Sequence, residues 1–156
     1  MPIATTKIGV ISDTHGLLRP EAVARLCDCD AIVHAGDIGK PDVLEGLATL
    51  TSRLVAIRGN VDLGWARDLP DTATFEIAGR RFHVLHDIKS LAIDPQVTGI
   101  DVVIAGHSHH PRVERREGVL YLNPGSAGPR RFKLPVTMGR LSLRPGRLDA
   151  RIVTLT

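Results

Sequence analysis

Three short apolar runs, Lys7-Ile8-Gly9-Val10-Ile11, Ala31-Ile32-Val33 and Leu54-Val55-Ala56-Ile57, are separated by two segments of helical spacing, and this alternation constrains the fold more than any other feature of the chain. The first helical segment runs from Pro20 to Cys27 with Val23, Leu26 and Cys27 on one face; the second opens at Pro41 and carries Val43, Leu44, Leu47 and Leu50. Strand, helix, strand, helix, strand predicts a parallel sheet with right-handed crossovers. From Asp71 the pattern changes to hairpins: Thr74 to Ile77 and Arg81 to His86 flank Ala-Gly, and Val113 to Arg116 and Leu120 to Asn123 flank Glu117-Gly118. Antiparallel pairing is expected there. Asp101 to Ala105 is a further apolar strand, reached through Lys89 to Gly99, a short helix interrupted by Pro95, and a last pair, Thr137 to Leu143 and Arg147 to Thr154, turns at Arg144-Pro145-Gly146. No linker, repeat or low-complexity segment divides the 156 residues, so a single domain over 1–156 is expected.

Composition narrows the function. At 43% hydrophobic and 24% charged residues the chain is that of an ordinary globular protein, not a disordered one. No apolar run approaches the ~20 residues that span a bilayer, and Met1 to Val10 lacks the pattern of a signal peptide, so a cytoplasmic protein without membrane contact is expected. Net charge is +3, five aromatic residues offer few stacking platforms, and no basic run exceeds two residues, so no nucleic acid partner is expected. Cys27 and Cys29, the two cysteines, fit neither a disulfide framework nor a zinc knuckle and read as reduced thiols.

In open α/β sheets ligands bind beyond the carboxyl ends of the strands. The residues there are Asp13-Thr14-His15, His34-Ala35-Gly36-Asp37, Gly59-Asn60-Val61-Asp62, His86-Asp87 and Gly106-His107-Ser108-His109-His110. All seven histidines lie in these segments or within one strand of them. Asp-x-His and His-x-His place two side chains on the same side of an extended backbone, where one ion takes both. A set of Asp, Asn and His without thiolate suits a hard or borderline divalent ion better than a closed structural zinc site.

Taken in order, Asp13-Thr14-His15, Gly36-Asp37, Gly59-Asn60-Val61-Asp62, His86 and Gly106-His107-Ser108-His109 resemble the signature of the calcineurin-like metallophosphoesterases, and Asn123-Pro124-Gly125-Ser126 resembles a further segment of their small single-domain bacterial and archaeal phosphodiesterase branch. The resemblance covers residues 8 to 130. It implies an α/β fold of two mixed β-sheets packed as a sandwich flanked by helices, four layers in the order α-β-β-α. It also implies one divalent ion held by Asp13, His15, Asp37 and His109 and a second by Asp37, Asn60, His86 and His107, with Asp37 bridging. Manganese is expected first, with iron, zinc or nickel as alternatives. A hydroxide between the ions would attack phosphorus in line, as expected for a phosphodiesterase acting on a small phosphate ester. A phosphomonoesterase, or a non-catalytic protein-interaction scaffold of the same fold, is the alternative, and a homo-oligomer is left open.

Two positions depart from the family pattern. Val61 stands where many relatives carry a histidine suited to protonating the leaving group, and His86-Asp87-Ile88 replaces a frequent His-Gly-His, adding a negative charge near where phosphate would sit. His110 and Arg130 are the candidates for contacting phosphate or leaving group, beside Asp37 and Asn60; Arg58 and Arg131 read by default as solvated surface charge. His34 and Asp62 read as residues that orient ligands, His83 as hairpin packing, and Trp65 as packing at the edge of the core.

Overall fold

The computed structural model describes residues 4–156, and its elements follow the sequence pattern closely. Strand β1 (Thr6–Ile11), helix α1 (Pro20–Leu26), β2 (Ala31–His34), α2 (Pro41–Ala48) and β3 (Leu54–Ala56) form the alternating part. Both helices begin with proline, whose fixed φ suits the first turn, followed at once by Glu21 or Asp42, whose charge favours the helix N-terminus. Strands β4 (Thr72–Ile77), β5 (Arg80–Leu85), β6 (Val102–Ile104), β7 (Arg112–Arg116), β8 (Val119–Asn123), β9 (Thr137–Arg144) and β10 (Arg147–Thr154) complete the chain, with a short helix α3 (Pro95–Thr98) before β6.

The strands form two five-stranded mixed sheets, ordered β10-β9-β1-β2-β3 and β4-β5-β6-β8-β7. In the first, β1, β2 and β3 run parallel as expected, and the β9–β10 hairpin adds antiparallel to β1. In the second, the expectation of antiparallel pairing holds only for the hairpins β4–β5 and β7–β8; β5, β6 and β8 pair in parallel. The segments joining these strands are long enough for crossovers, which hairpin signals do not reveal. The segment Lys89 to Gly99 also differs from expectation: a 3₁₀ turn spans Ile88–Ser90, and Pro95 opens α3 instead of interrupting a helix. Asp94 caps α3 by accepting from the Gln96 and Val97 amides.

Strand alternation sorts the apolar side chains into layers. Ile8 and Val10 of β1 and Val102 and Ile104 of β6 meet Val33, Phe82, Leu120 and Leu141 between the sheets. Ile11 and Ile32 turn outward beneath α1 and α2, against Ala22, Leu26, Val43 and Leu47. Val103 turns outward on the second sheet, where Leu91 and Ile93 cover it together with Leu85 and Val119. The order of layers is the expected α-β-β-α, with the second helical layer reduced to α3 and the 3₁₀ turn.

Candidate metal centre

Strands β1, β2, β3, β5 and β6 deliver their carboxyl ends to one rim of the sandwich, and the polar segments noted in the sequence follow them there. Two groups of donor atoms result: Asp13, His15 and His109, and Asp37, His86 and His107, each with its atoms within 4.8 Å of one another. The groups touch. Oδ2 of Asp37 lies 3.1 Å from Nε2 of His86 and 3.8 Å from Nε2 of His15, so one carboxylate oxygen faces members of both.

The backbone at these residues is unusual. Asp13, His15, Asp37, His107 and His109 all have positive φ, between +46° and +69°, a region that L-residues other than glycine rarely enter. The expectation of an extended backbone for Asp-x-His and His-x-His is therefore corrected. The chain turns through the left-handed region at alternate residues, and these turns converge the side chains. Such conformations cost of order 1–3 kcal/mol each and persist only where surrounding contacts impose them.

Those contacts are specific. The Ser12 hydroxyl and the His107 amide donate to Oδ2 of Asp13, at 2.6 and 3.1 Å, leaving Oδ1 turned to the site. The Val61 amide donates to Oδ1 of Asp37, at 3.1 Å. His86 donates from Nδ1 to the Ala35 carbonyl, at 2.8 Å, which presents its Nε2 toward Asp37. Asp62, buried, accepts from the amides of Ile38, Gly39 and Gly59, at 3.0, 2.9 and 2.9 Å, and ties the loops after β2 and β3 together. Glycine is required at Gly59, where a Cβ would overlap the Asp37 carboxylate.

His34 is buried and fully partnered: its Nδ1 accepts from the Gly36 amide and its Nε2 donates to the Thr14 hydroxyl, which donates to the Ile38 carbonyl. Burial pushes its pKa down to about 4, so the ring is neutral. Burial alone would raise Asp13 and Asp37, yet both carboxyls are held below their ordinary range. His109, Ser12 and His86 do this for Asp13; His86, the Val61 amide and His15 do it for Asp37. Two buried carboxylates thus stay anionic amid imidazole nitrogens.

Three buried polar atoms have no hydrogen-bond partner among the described residues: Oδ1 of Asp13, Nε2 of His15 and Nδ1 of His109. Buried polar atoms are almost always satisfied, and all three belong to the first donor group. Oxygen and nitrogen donors, anionic carboxylates and unpaired buried atoms together fit divalent cations.

The remaining expected residues are distributed unevenly. Asn60 is exposed and lines a cleft of about 460 Å³ with Arg58, Asp71, His86, Asp87 and His107. His110 is exposed and borders two cavities beside the 106–109 loop, one with Ser108 and Asn123, the other with Phe132 and Leu134. Arg130 is drawn to the C-terminal residue, donating to the Thr156 carbonyl and hydroxyl at 3.1 and 3.4 Å. His83 shares a 2.8 Å hydrogen bond with the Thr74 hydroxyl of the neighbouring strand, in the hairpin where packing was expected. Sequence reasoning missed the roles of Ser12, Asn123 and Ser126. Asn123 donates to the Gly106 carbonyl and the Ser108 hydroxyl, and the Ser126 hydroxyl donates to the Asp13 carbonyl, so Asn123-Pro124-Gly125-Ser126 buttresses the loops after β1 and β6. The only sequence signal for this was the motif itself.

The chain is similar to known proteins in sequence and in fold. Residues 6–146 match the family model of the calcineurin-like phosphoesterase superfamily domain. A probable metallophosphoesterase of Methanothermobacter thermautotrophicus is 37% identical, over 94% of this chain and 91% of its own. The structure of an archaeal phosphodiesterase superposes with a TM-score of 0.75 at 26% identity, covering 96% of this chain and all of the other (100%). Vacuolar protein sorting 29 of Cryptosporidium parvum shares the fold at a TM-score of 0.77, with 16% identity and coverage of 97% and 98%.

Proposed function

Because the chain belongs to the calcineurin-like phosphoesterase superfamily, we propose that it is a metal-dependent phosphohydrolase acting on phosphodiesters as a single domain. The observation that carries this reading is the contact of one Asp37 oxygen with both donor groups. Asp13, His15, Asp37 and His109 would hold one divalent ion, and Asp37, Asn60, His86 and His107 a second, with manganese the first choice. When bound, such ions supply Lewis acidity and acidify water toward a pKa of ~7.

The chain's own residues do the rest. Ser12 and the His107 amide fix the Asp13 carboxylate, the Ala35 carbonyl fixes the proton of His86 on Nδ1, and Asp62 holds the Asp37 loop in register with Asn60. Asp13, Asp37 and His86 are therefore positioned before substrate arrives, the condition under which electrostatic stabilisation costs least at the moment of reaction. Asn60 and His107 line the cleft and would orient the phosphoryl oxygens, while His110, which borders neighbouring cavities beside the 106–109 loop, would reach the leaving group. Val61 is 45% exposed beside Asn60 and offers no proton, which favours leaving groups that depart without one.

The archaeal phosphodiesterase supports diesters over the phosphomonoesterase alternative. The fold shared with vacuolar protein sorting 29 raises the scaffold alternative, but a pure scaffold has no use for three unpartnered buried donors. Metal analysis combined with hydrolysis of bis(p-nitrophenyl) phosphate, p-nitrophenyl phosphate and an alkyl monoester under added manganese tests the reading. Two ions per chain and fastest turnover of the diester are expected; absence of hydrolysis in a protein carrying two ions would overturn it in favour of the scaffold.

A further inference from the structure

The cleft beside Asn60 has an unexpected balance of charge. Of the described residues lining it, Arg58 is the only one with a cationic side chain, apart from the two histidines, and Asp71 and Asp87 carry carboxylates. Arg58 is already engaged. Its Nε and Nη2 donate to the two oxygens of Asp71, at 2.7 and 3.3 Å, and its Nη1 donates to the Arg67 carbonyl, at 3.4 Å. This two-pronged geometry leaves the guanidinium few donors for a ligand. Asp87 is different. Its Oδ1 accepts from the Lys89 amide, while its Oδ2 lies 3.8 Å from Nε2 of His107, a candidate ligand in the wall of the cleft. The Arg58 and Asp71 charges cancel, and Asp87 remains as the acidic group of the cleft with no Lys or Arg partner there.

Resting on the phosphodiesterase reading above, we propose that Asp87 is a specificity-determining residue that selects monoanionic phosphodiesters against dianionic monoesters. A monoester with a second pKa near 6 carries almost two charges at pH 8, a diester only one. The additional charge meets the Asp87 carboxylate and finds no free cationic side chain to offset it, because Asp71 holds Arg58. The same layout makes Asp71 a second determinant acting in the same direction, by occupying Arg58: releasing Arg58 would give the cleft a cation.

The test uses the manganese-loaded chain with bis(p-nitrophenyl) phosphate and p-nitrophenyl phosphate. Both release the same alcohol, so demand for a proton donor is matched and the substrates differ chiefly in charge. In Asp87→Asn the ratio of kcat/KM for diester over monoester should fall about five- to tenfold, the size expected of one charge at contact range in a solvated cleft. Asp71→Asn should lower the ratio in the same direction by freeing Arg58. Metal content is measured alongside, since loss of a contact to His107 alone would slow both substrates equally. Parallel changes in both substrates, or an unchanged ratio, would overturn the proposal. If the unmodified protein hydrolyses neither ester, the phosphodiesterase reading fails. The proposal is then decided by calorimetry with inorganic phosphate and dimethyl phosphate: a larger gain in binding to Asp87→Asn for inorganic phosphate than for the singly charged dimethyl phosphate sustains it, and equal shifts refute it.

Discussion

Oδ2 of Asp37 and Nε2 of His86 stand 3.1 Å apart, and the pair joins two sheets: Asp37 follows β2 of the first, His86 follows β5 of the second. Each changes the other's proton affinity. Asp37 is held below its ordinary range, while His86 is raised, burial alone pulling it the opposite way and Asp37, the Ala35 carbonyl and Asp13 prevailing. The contact is thus both a seam between the halves of the sandwich and the middle of the candidate centre.

Asp37→Asn keeps the shape of this side chain and removes its charge. Loss of at least one bound ion and a drop in turnover of about 100-fold or more are expected, because removing even an outer partner of a metal ligand typically costs 10–100-fold. Metal analysis and initial rates on a diester measure both. Two ions at full occupancy with normal turnover would exclude Asp37 from the centre.

Asp62→Ala deprives three amides of their acceptor in a buried position. The cost should reach about 3 kcal/mol or more, since hydrogen bonds to charged groups contribute ~1.5–3 each and their loss leaves buried donors unpaired. Urea denaturation reads this directly. A loss below ~1 kcal/mol would mean that the loops after β2 and β3 are held by other contacts.

Acid should destabilise the fold partly through His34. Its folded pKa of about 4 lies below the ordinary 6.5, so between these values the unfolded chain takes up a proton that the native chain refuses, and stability falls as pH falls. The full effect is about 3 kcal/mol. Denaturation at pH 7 and pH 4.5 should show a smaller loss in His34→Gln than in the unmodified chain. Equal losses would show that the carboxylates alone carry the acid sensitivity.

Val61→His restores a proton donor next to Asn60, at a position that is exposed and whose amide contact with Asp37 is made by backbone. General acids contribute ~10²–10⁴-fold, so at least about a tenfold gain is expected on alkyl esters and little on p-nitrophenyl esters, whose leaving group needs no proton. A uniform change across leaving groups would argue that the new ring acts sterically.

The candidate site was largely legible because it consists of short polar segments placed after apolar runs, and both are local features. Asp13, His15, Asp37, His86, His107 and His109 could each be singled out from immediate neighbours, and the structure gathers all six. The parallel pairing of β5, β6 and β8 was not legible, since register between distant strands is decided by crossovers and packing that no window of ten residues contains. The contact of Arg130 was not legible for a related reason: its partner, Thr156, is 26 residues away and shows no pattern of its own. The left-handed backbone was hidden as well, because Asp and His enter that region only where tertiary contacts such as those of Ser12 and Ser126 compel it.

The five left-handed residues of the candidate site bear on how such a fold diverges. Their strain is present whether or not the site is used, so a descendant that no longer needs the chemistry relieves it by replacing the histidines among them with glycine, which adopts positive φ freely. Selection for function is then the main force keeping His15, His107 and His109, while Asp13 and Asp37 are also kept by the donors they satisfy; once function relaxes, drift at the histidines runs downhill toward an inert rim. Abandoning catalysis is an easy evolutionary step for this architecture, and regaining it is a steep one.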